Sequence, residues 1–169
     1  MEKIIRYIFR FVCLVLVQTL VLNNIELFGY INPMLNVLFI LLLPFDIPYW
    51  GVILLGFGLG FCVDVFSDTY GLHTAATTLL AFARPYLVRL ALARNNFQQV
   101  STIQPATLNR SLFMMYALWS VIAHHLMFYL VDAFTTVNIL YILIRIVVGS
   151  VLTLVFIYIY VCLFLPKKS

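Results

Sequence analysis

GVILLGFGLGFCVDVFSDTYGLHT, residues 51–74, is an apolar run of helix length that ends in an acidic residue, crosses a short polar turn and resumes at Gly-Leu-His. Gly56, Gly60 and Asp64 are spaced by four, which at about 3.6 residues per turn puts them on one slowly drifting helical face. Small residues at that spacing let a neighbouring backbone come close, as in contacts between membrane helices. The same stripe delivers a carboxylate near a membrane face. A bare charge is costly there, so Asp64 calls for a partner or a path to water.

The rest of the chain sets the context. Of its 169 residues 64% are hydrophobic and 9% charged, with a mean hydropathy of +1.09. A soluble domain of this size cannot cover so much apolar surface, and the expected class is an all-α polytopic bundle, a single integral-membrane domain over 1–169. The apolar stretches are continuous rather than alternating, which argues against an outer-membrane barrel. The start, MEKIIRYIFRFVCLVLVQTLVL, has the charged head and apolar body of a signal peptide. Its apolar run is long and no small-x-small cleavage site follows, so it reads as a retained first helix. Cys13, Cys62 and Cys162 lie inside apolar runs without a CxxC pair or metal spacing, and read as small hydrophobes in helix packing.

Six segments are expected to span, at 4–22, 33–45, 49–66, 72–92, 111–131 and 138–165. The second, 13 residues or about 20 Å of helix against a hydrocarbon core of roughly 30 Å, reads as a short span, a broken helix or a re-entrant segment. Pro33, Pro44 and Pro48 bracket it. With six spans, nine of the ten Lys and Arg residues fall on one side: Lys3, Arg6 and Arg10 at the start, Arg84, Arg89, Arg94 and Arg110 around the linker 93–110, and Lys167 and Lys168 at the end. The positive-inside rule then puts both termini and the linker in the cytoplasm. The charge of +4 is thus a topology signal, and no nucleic-acid partner is expected. Phe97, Val100 and Ile103 in the linker allow either an interfacial amphipathic turn or a flexible connection.

Arg145 is the exception to the sorting, seven residues into the sixth segment. A buried Arg costs about 2.5–3.5 kcal/mol or more unless it is paired or snorkels. The expected arrangement is an intramembrane Asp64–Arg145 pair, with Asp132, snorkelling or a role in moving an ion as the alternatives. His124 and His125 point about 100° apart on a helix and cannot chelate one ion as an i, i+4 pair does. One is expected inside and the other towards headgroups or a partner. His73, after Gly71, is expected to cap or to join an interface. No Walker motif, dinucleotide fingerprint or serine-protease arrangement is present, so no catalytic, cofactor-binding or metal residue is assigned and an enzyme is not expected.

The chain resembles the MreD family of bacterial rod shape-determining proteins. The resemblance rests on Gly56, Gly60 and Asp64, the turn Ser67-Asp68-Thr69-Tyr70, then Gly71-Leu72-His73, with Gln18 late in the first helix, a basic linker and a length near 170. The turn departs from the family in lacking the glycine and proline often found there. The resemblance implies a non-enzymatic inner-membrane component of the peptidoglycan elongation machinery. It implies binding to MreC and work with MreB, RodA and a class B penicillin-binding protein among membrane lipids, with a homodimer left open. Gly56, Gly60, Asp64, Gly71 and His73 would then serve helix packing or a partner interface. It also implies a fold similar to the substrate-binding subunits of energy-coupling factor transporters. The alternative function is therefore a vitamin-type binding subunit, for which Tyr30, Tyr70, His73 and Tyr129 could line an outward cavity.

Overall fold

The computed structural model of the chain describes residues 2–24, 32–92, 108–133 and 139–164, and these are helical apart from turns and one irregular stretch. Six α-helices follow in order: α1 (Glu2–Leu16), α2 (Val37–Leu42), α3 (Tyr49–Ser67), α4 (Leu72–Leu92), α5 (Arg110–Asp132) and α6 (Ile139–Phe164). The first helix continues through a π-helical turn, Val17–Val21, and a 3₁₀ turn, Leu22–Asn24. The linker turn expected around Phe97, Val100 and Ile103 lies outside the described residues, as do Tyr30, Arg94, Lys167 and Lys168.

Among the described residues four helical stretches are long and apolar enough to cross a membrane: Ile5–Asn24, Tyr49–Ser67, Arg110–Asp132 and Ile139–Phe164. Their outward faces carry large exposed apolar side chains, such as Trp50, Phe61, Leu130 and Val147. At 21 residues, about 32 Å, α4 has the length. Its His73, three threonines, Arg84 and Arg89 lower its hydropathy.

The second expected segment differs from a spanning helix. Only Val37–Leu42 is helical, about 9 Å of rise, and all six side chains are buried. They form the centre of the core, with Leu59 and Val63 of α3, Leu80 of α4, Tyr116 of α5 and Ile157 of α6 around them. The irregular backbone flanking α2 is tolerated because protein groups satisfy it. The Met34 N–H donates to Thr153 Oγ1 at 3.0 Å, and the Asn36 N–H to Gln18 Oε1 at 3.3 Å. Asn36 caps α2, its side-chain oxygen accepting from the Val37 N–H at 3.0 Å. Gln18 Nε2 donates to the Pro33 carbonyl at 3.0 Å. The segment runs from the level of His73, which meets Asn36, to the level of Arg84, which meets Pro44. Those levels are eleven residues apart on α4, about 16 Å.

The hairpin of α3 and α4 is closed by backbone geometry. Pro48, with φ −59° and ψ 143°, precedes α3 and suits its first turn. At the far end Asp68 turns left-handed, with φ 52°, and returns its N–H to the Asp64 carbonyl. Tyr70 at φ 47° and Gly71 at φ 94° complete the reversal before α4 begins at Leu72.

Candidate functional site

Asp64 sits in the last full turn of α3, 7% exposed, and accepts four hydrogen bonds. Oδ1 takes the Thr69 hydroxyl at 2.5 Å and the His73 N–H at 3.0 Å. Oδ2 takes the Thr74 N–H at 2.7 Å and the Thr74 hydroxyl at 2.5 Å. The first N–H groups of a helix have no partner within it. Asp64 supplies that partner from another helix, and its charge also suits the positive end of the α4 dipole. The Asp64 carboxylate is therefore a cap delivered across the hairpin.

The glycine stripe serves the same contact. A methyl group on Gly60 would sit 2.5 Å from Thr74 Cα and 2.6 Å from the His73 carbonyl oxygen. On Gly56 it would sit 2.8 Å from Ala81 Cβ and 2.9 Å from the Thr77 carbonyl oxygen. The space so left is used by Thr77, whose hydroxyl lies 2.8 Å from the Gly56 carbonyl oxygen and 2.7 Å from that of His73. The partner of the stripe is thus α4 of the same chain. Gly71 has open space around it, and its role is the positive φ that a turn requires.

The expected Asp64–Arg145 pair is corrected. Arg145 Nη1 meets Asp132 Oδ2 at 2.8 Å, across the connection between α5 and α6, and the guanidinium lies over the rings of Tyr129 and Tyr141 at 4.8 and 5.5 Å. Asp64 is saturated by its own turn. The expected outward histidine is corrected as well, since His124 and His125 are both fully buried. His125 Nδ1 lies 2.9 Å from the Val121 carbonyl oxygen. A carbonyl can only accept, so Nδ1 carries the proton and Nε2 accepts from Thr153 at 3.3 Å. Gly149 makes room for that ring, 3.1 Å from where its Cβ would be. Among the described residues neither ring nitrogen of His124 has a hydrogen-bond partner, nor do the buried hydroxyls of Ser120 and Ser150.

His73 is both packed and polar. Its ring stands 4.8 Å from Phe128, and Nδ1 lies 3.2 Å from Asn36 Nδ2. Because Asn36 Oδ1 is taken by Val37, it is the Asn36 amide that donates, and His73 holds its own proton on Nε2. Gln18 Nε2 donates to Asn23 Oδ1 at 2.7 Å, and Asn23 Nδ2 to Ser67 Oγ at 2.6 Å, tying the first helix to the α3–α4 turn.

Sequence reading missed Arg84, which it counted with the linker charges. Arg84 is buried, 5% exposed, and its donors close the end of α2. Nη2 donates to the Leu43 carbonyl, Nη1 to the Pro44 carbonyl at 3.2 Å and Nε to the Tyr116 hydroxyl at 3.1 Å, with the Phe45 ring 4.9 Å away. The cue in the sequence was Arg84-Pro85 inside an apolar run, twelve residues into α4.

Two cavities flank the hairpin turn. A polar vestibule of about 420 Å³ lies on the bundle side and includes Asn23, Asn32, His73, Tyr129, Asp132 and Arg145 in its wall. An apolar groove of about 900 Å³ lies between α3 and α4, walled by Ile53, Phe57, Phe61, Leu79 and Phe82, with Tyr70 at its rim. Of the four residues expected around an outward cavity, His73 and Tyr129 line the vestibule, Tyr70 lines the groove and Tyr30 lies outside the described residues. No protein-family model, no curated protein and no solved structure matches the chain.

Proposed function

We propose that the chain is a non-enzymatic scaffold of the cell-elongation machinery for peptidoglycan synthesis, acting in the bacterial cytoplasmic membrane by binding MreC and, in a larger assembly, MreB, RodA and a class B penicillin-binding protein. One observation carries the reading. The residues on which the family resemblance rests, Gly56, Gly60, Asp64 and His73, are those that lock α3 to α4 into one hairpin. Such a hairpin suits a protein that works by offering a fixed surface to other membrane helices. In this reading the chain crosses six times, the interior segment 33–45 counting as one crossing, with both termini in the cytoplasm.

Depletion in the host tests the function. The expected result is rounding or swelling, with new wall synthesis losing its lateral pattern and MreC recovered with the tagged chain from gentle detergent. The topology is tested by single cysteines and a membrane-impermeant thiol reagent: Asp68→Cys labels from outside and Asp46→Cys does not. The vestibule supports a second reading, a substrate-binding subunit of a small-molecule transporter. That reading requires normal shape on depletion, loss of uptake of one nutrient and an ATPase-coupled partner in the pull-down.

A further inference from the structure

The vestibule and the groove share one residue, Asp68, on the exposed turn that separates them. The vestibule's volume is that of a sphere about 9 Å across, the size of a compact head group. The groove follows α3 from Ile53 to Val65, twelve residues or about 18 Å, more than half of a hydrocarbon core of roughly 30 Å. Together they offer a polar end and an apolar channel meeting at one turn.

The charges in the polar end define its guest. Arg145 has five N–H donors, of which Asp132 takes one at 2.8 Å and the Tyr129 hydroxyl another, and its Nε finds no acceptor among the described residues. His73, its Nδ1 spent on Asn36, adds an N–H on Nε2. These donors suit an oxyanion, and a guanidinium matches phosphate in particular. Asp68 and Asp132 stand in the same wall. A purely anionic guest meets both carboxylates, and a purely cationic one meets Arg145, whereas a zwitterion satisfies both signs.

We infer that the two cavities form one binding site for a phospholipid whose head group joins a phosphate to a primary ammonium. The phosphate faces Arg145 and His73, the ammonium faces Asp68, and an acyl chain passes the turn to lie along α3 and α4. The site rests on the membrane setting and on these side chains, and stands whichever partners the chain has.

The test uses the full-length protein in neutral detergent and native mass spectrometry. The probes are dioleoyl phosphatidylethanolamine, dioleoyl phosphatidylglycerol and soluble phosphoethanolamine. One phosphatidylethanolamine is retained per chain, with about a tenfold preference over phosphatidylglycerol. Asp68→Asn abolishes the preference. Arg145→Lys, which keeps a charge for Asp132 but loses the planar donor array, weakens retention about tenfold. Phosphoethanolamine at about 1 mM leaves the lipid in place, because it lacks the chain that fills the groove. Equal retention of the two lipids, or Asp68→Asn and Arg145→Lys both behaving as wild type, overturns the inference. Displacement by phosphoethanolamine reassigns the vestibule to a soluble zwitterion and also overturns it. Melting curves accompany each variant, and the exposed Asp68→Asn carries the test if Arg145→Lys does not fold.

Discussion

Thr74 gives both its backbone N–H and its hydroxyl to a single carboxylate oxygen, Asp64 Oδ2, at 2.7 and 2.5 Å. The other oxygen holds Thr69 and His73. One side chain therefore sets the distance between two helices, the start of the second and the shape of the turn between them.

Replacing it separates those roles. Asp64→Ala leaves the buried His73 N–H without an acceptor, at about 1–3 kcal/mol, and the part-buried Thr74 N–H at less. Asp64→Asn keeps one accepting oxygen and costs less. Thermal melting in detergent is expected to rank the proteins wild type, Asn, Ala in falling order. An alanine variant as stable as wild type would contradict the cap.

Two glycines of α3, Gly58 and Gly60, face different surroundings and offer an internal control. Gly58 has nothing within 4 Å of where a Cβ would be, whereas at Gly60 a Cβ meets the α4 backbone at 2.5–2.6 Å. Gly58→Ala is expected to be neutral or to gain about 0.5–1 kcal/mol from helix propensity. Gly60→Ala is expected to lose about 1–3 kcal/mol, since backbone must move. Equal melting temperatures for the two would show that the helices are farther apart than described.

A double-mutant cycle reads the ion pair. Asp132→Asn and Arg145→Gln are expected to couple by about 0.5–3 kcal/mol. Asp64→Asn with Arg145→Gln is expected to be additive within about 0.5 kcal/mol. The reverse pattern would restore the pairing with Asp64.

Arg84 is expected to be among the least replaceable residues. Arg84→Met strands the Leu43 and Pro44 carbonyls and the Tyr116 hydroxyl, each at about 1–3 kcal/mol if left unpaired. Arg84→Lys keeps the charge, but a point ammonium cannot reach three acceptors in a fixed fork, so it recovers a part of the loss. Tyr116→Phe, which removes one acceptor, is expected to cost least. Folded yield by fluorescence-detected gel filtration checks the order, and a lysine variant equal to wild type would refute it.

Much of this architecture was legible in the residues. The spacing of Gly56, Gly60 and Asp64 reports a close-packed helix face, because a 3.6-residue period fixes direction along one helix. The long apolar runs mark α1, α3, α5 and α6 for the same reason. Direction between helices is not so encoded. Arg145 and Asp64 lie at compatible depths, yet the angle of each around its axis decides the partner, and Asp132, thirteen residues from Arg145, stands on the nearer helix. His124 and His125 misled for a related reason: α5 packs against α2, α4 and α6, so residues about 100° apart can both be interior. Arg84 was hidden by the rule that located the other charges, since counting basic residues treats each as a surface marker.

The interior segment has a consequence for biogenesis. Its carbonyls at Leu43 and Pro44 wait for Arg84, made some 40 residues later, and the Met34 N–H waits for Thr153, 119 residues later. Unpaired backbone is costly in lipid. Residues 33–48 therefore reach their final place only when the last helix has been synthesised and admitted to the bundle. The closing event in assembly is thus the seating of a stretch that the ribosome finished early, and a chain stopped before α6 lacks the acceptor that completes it.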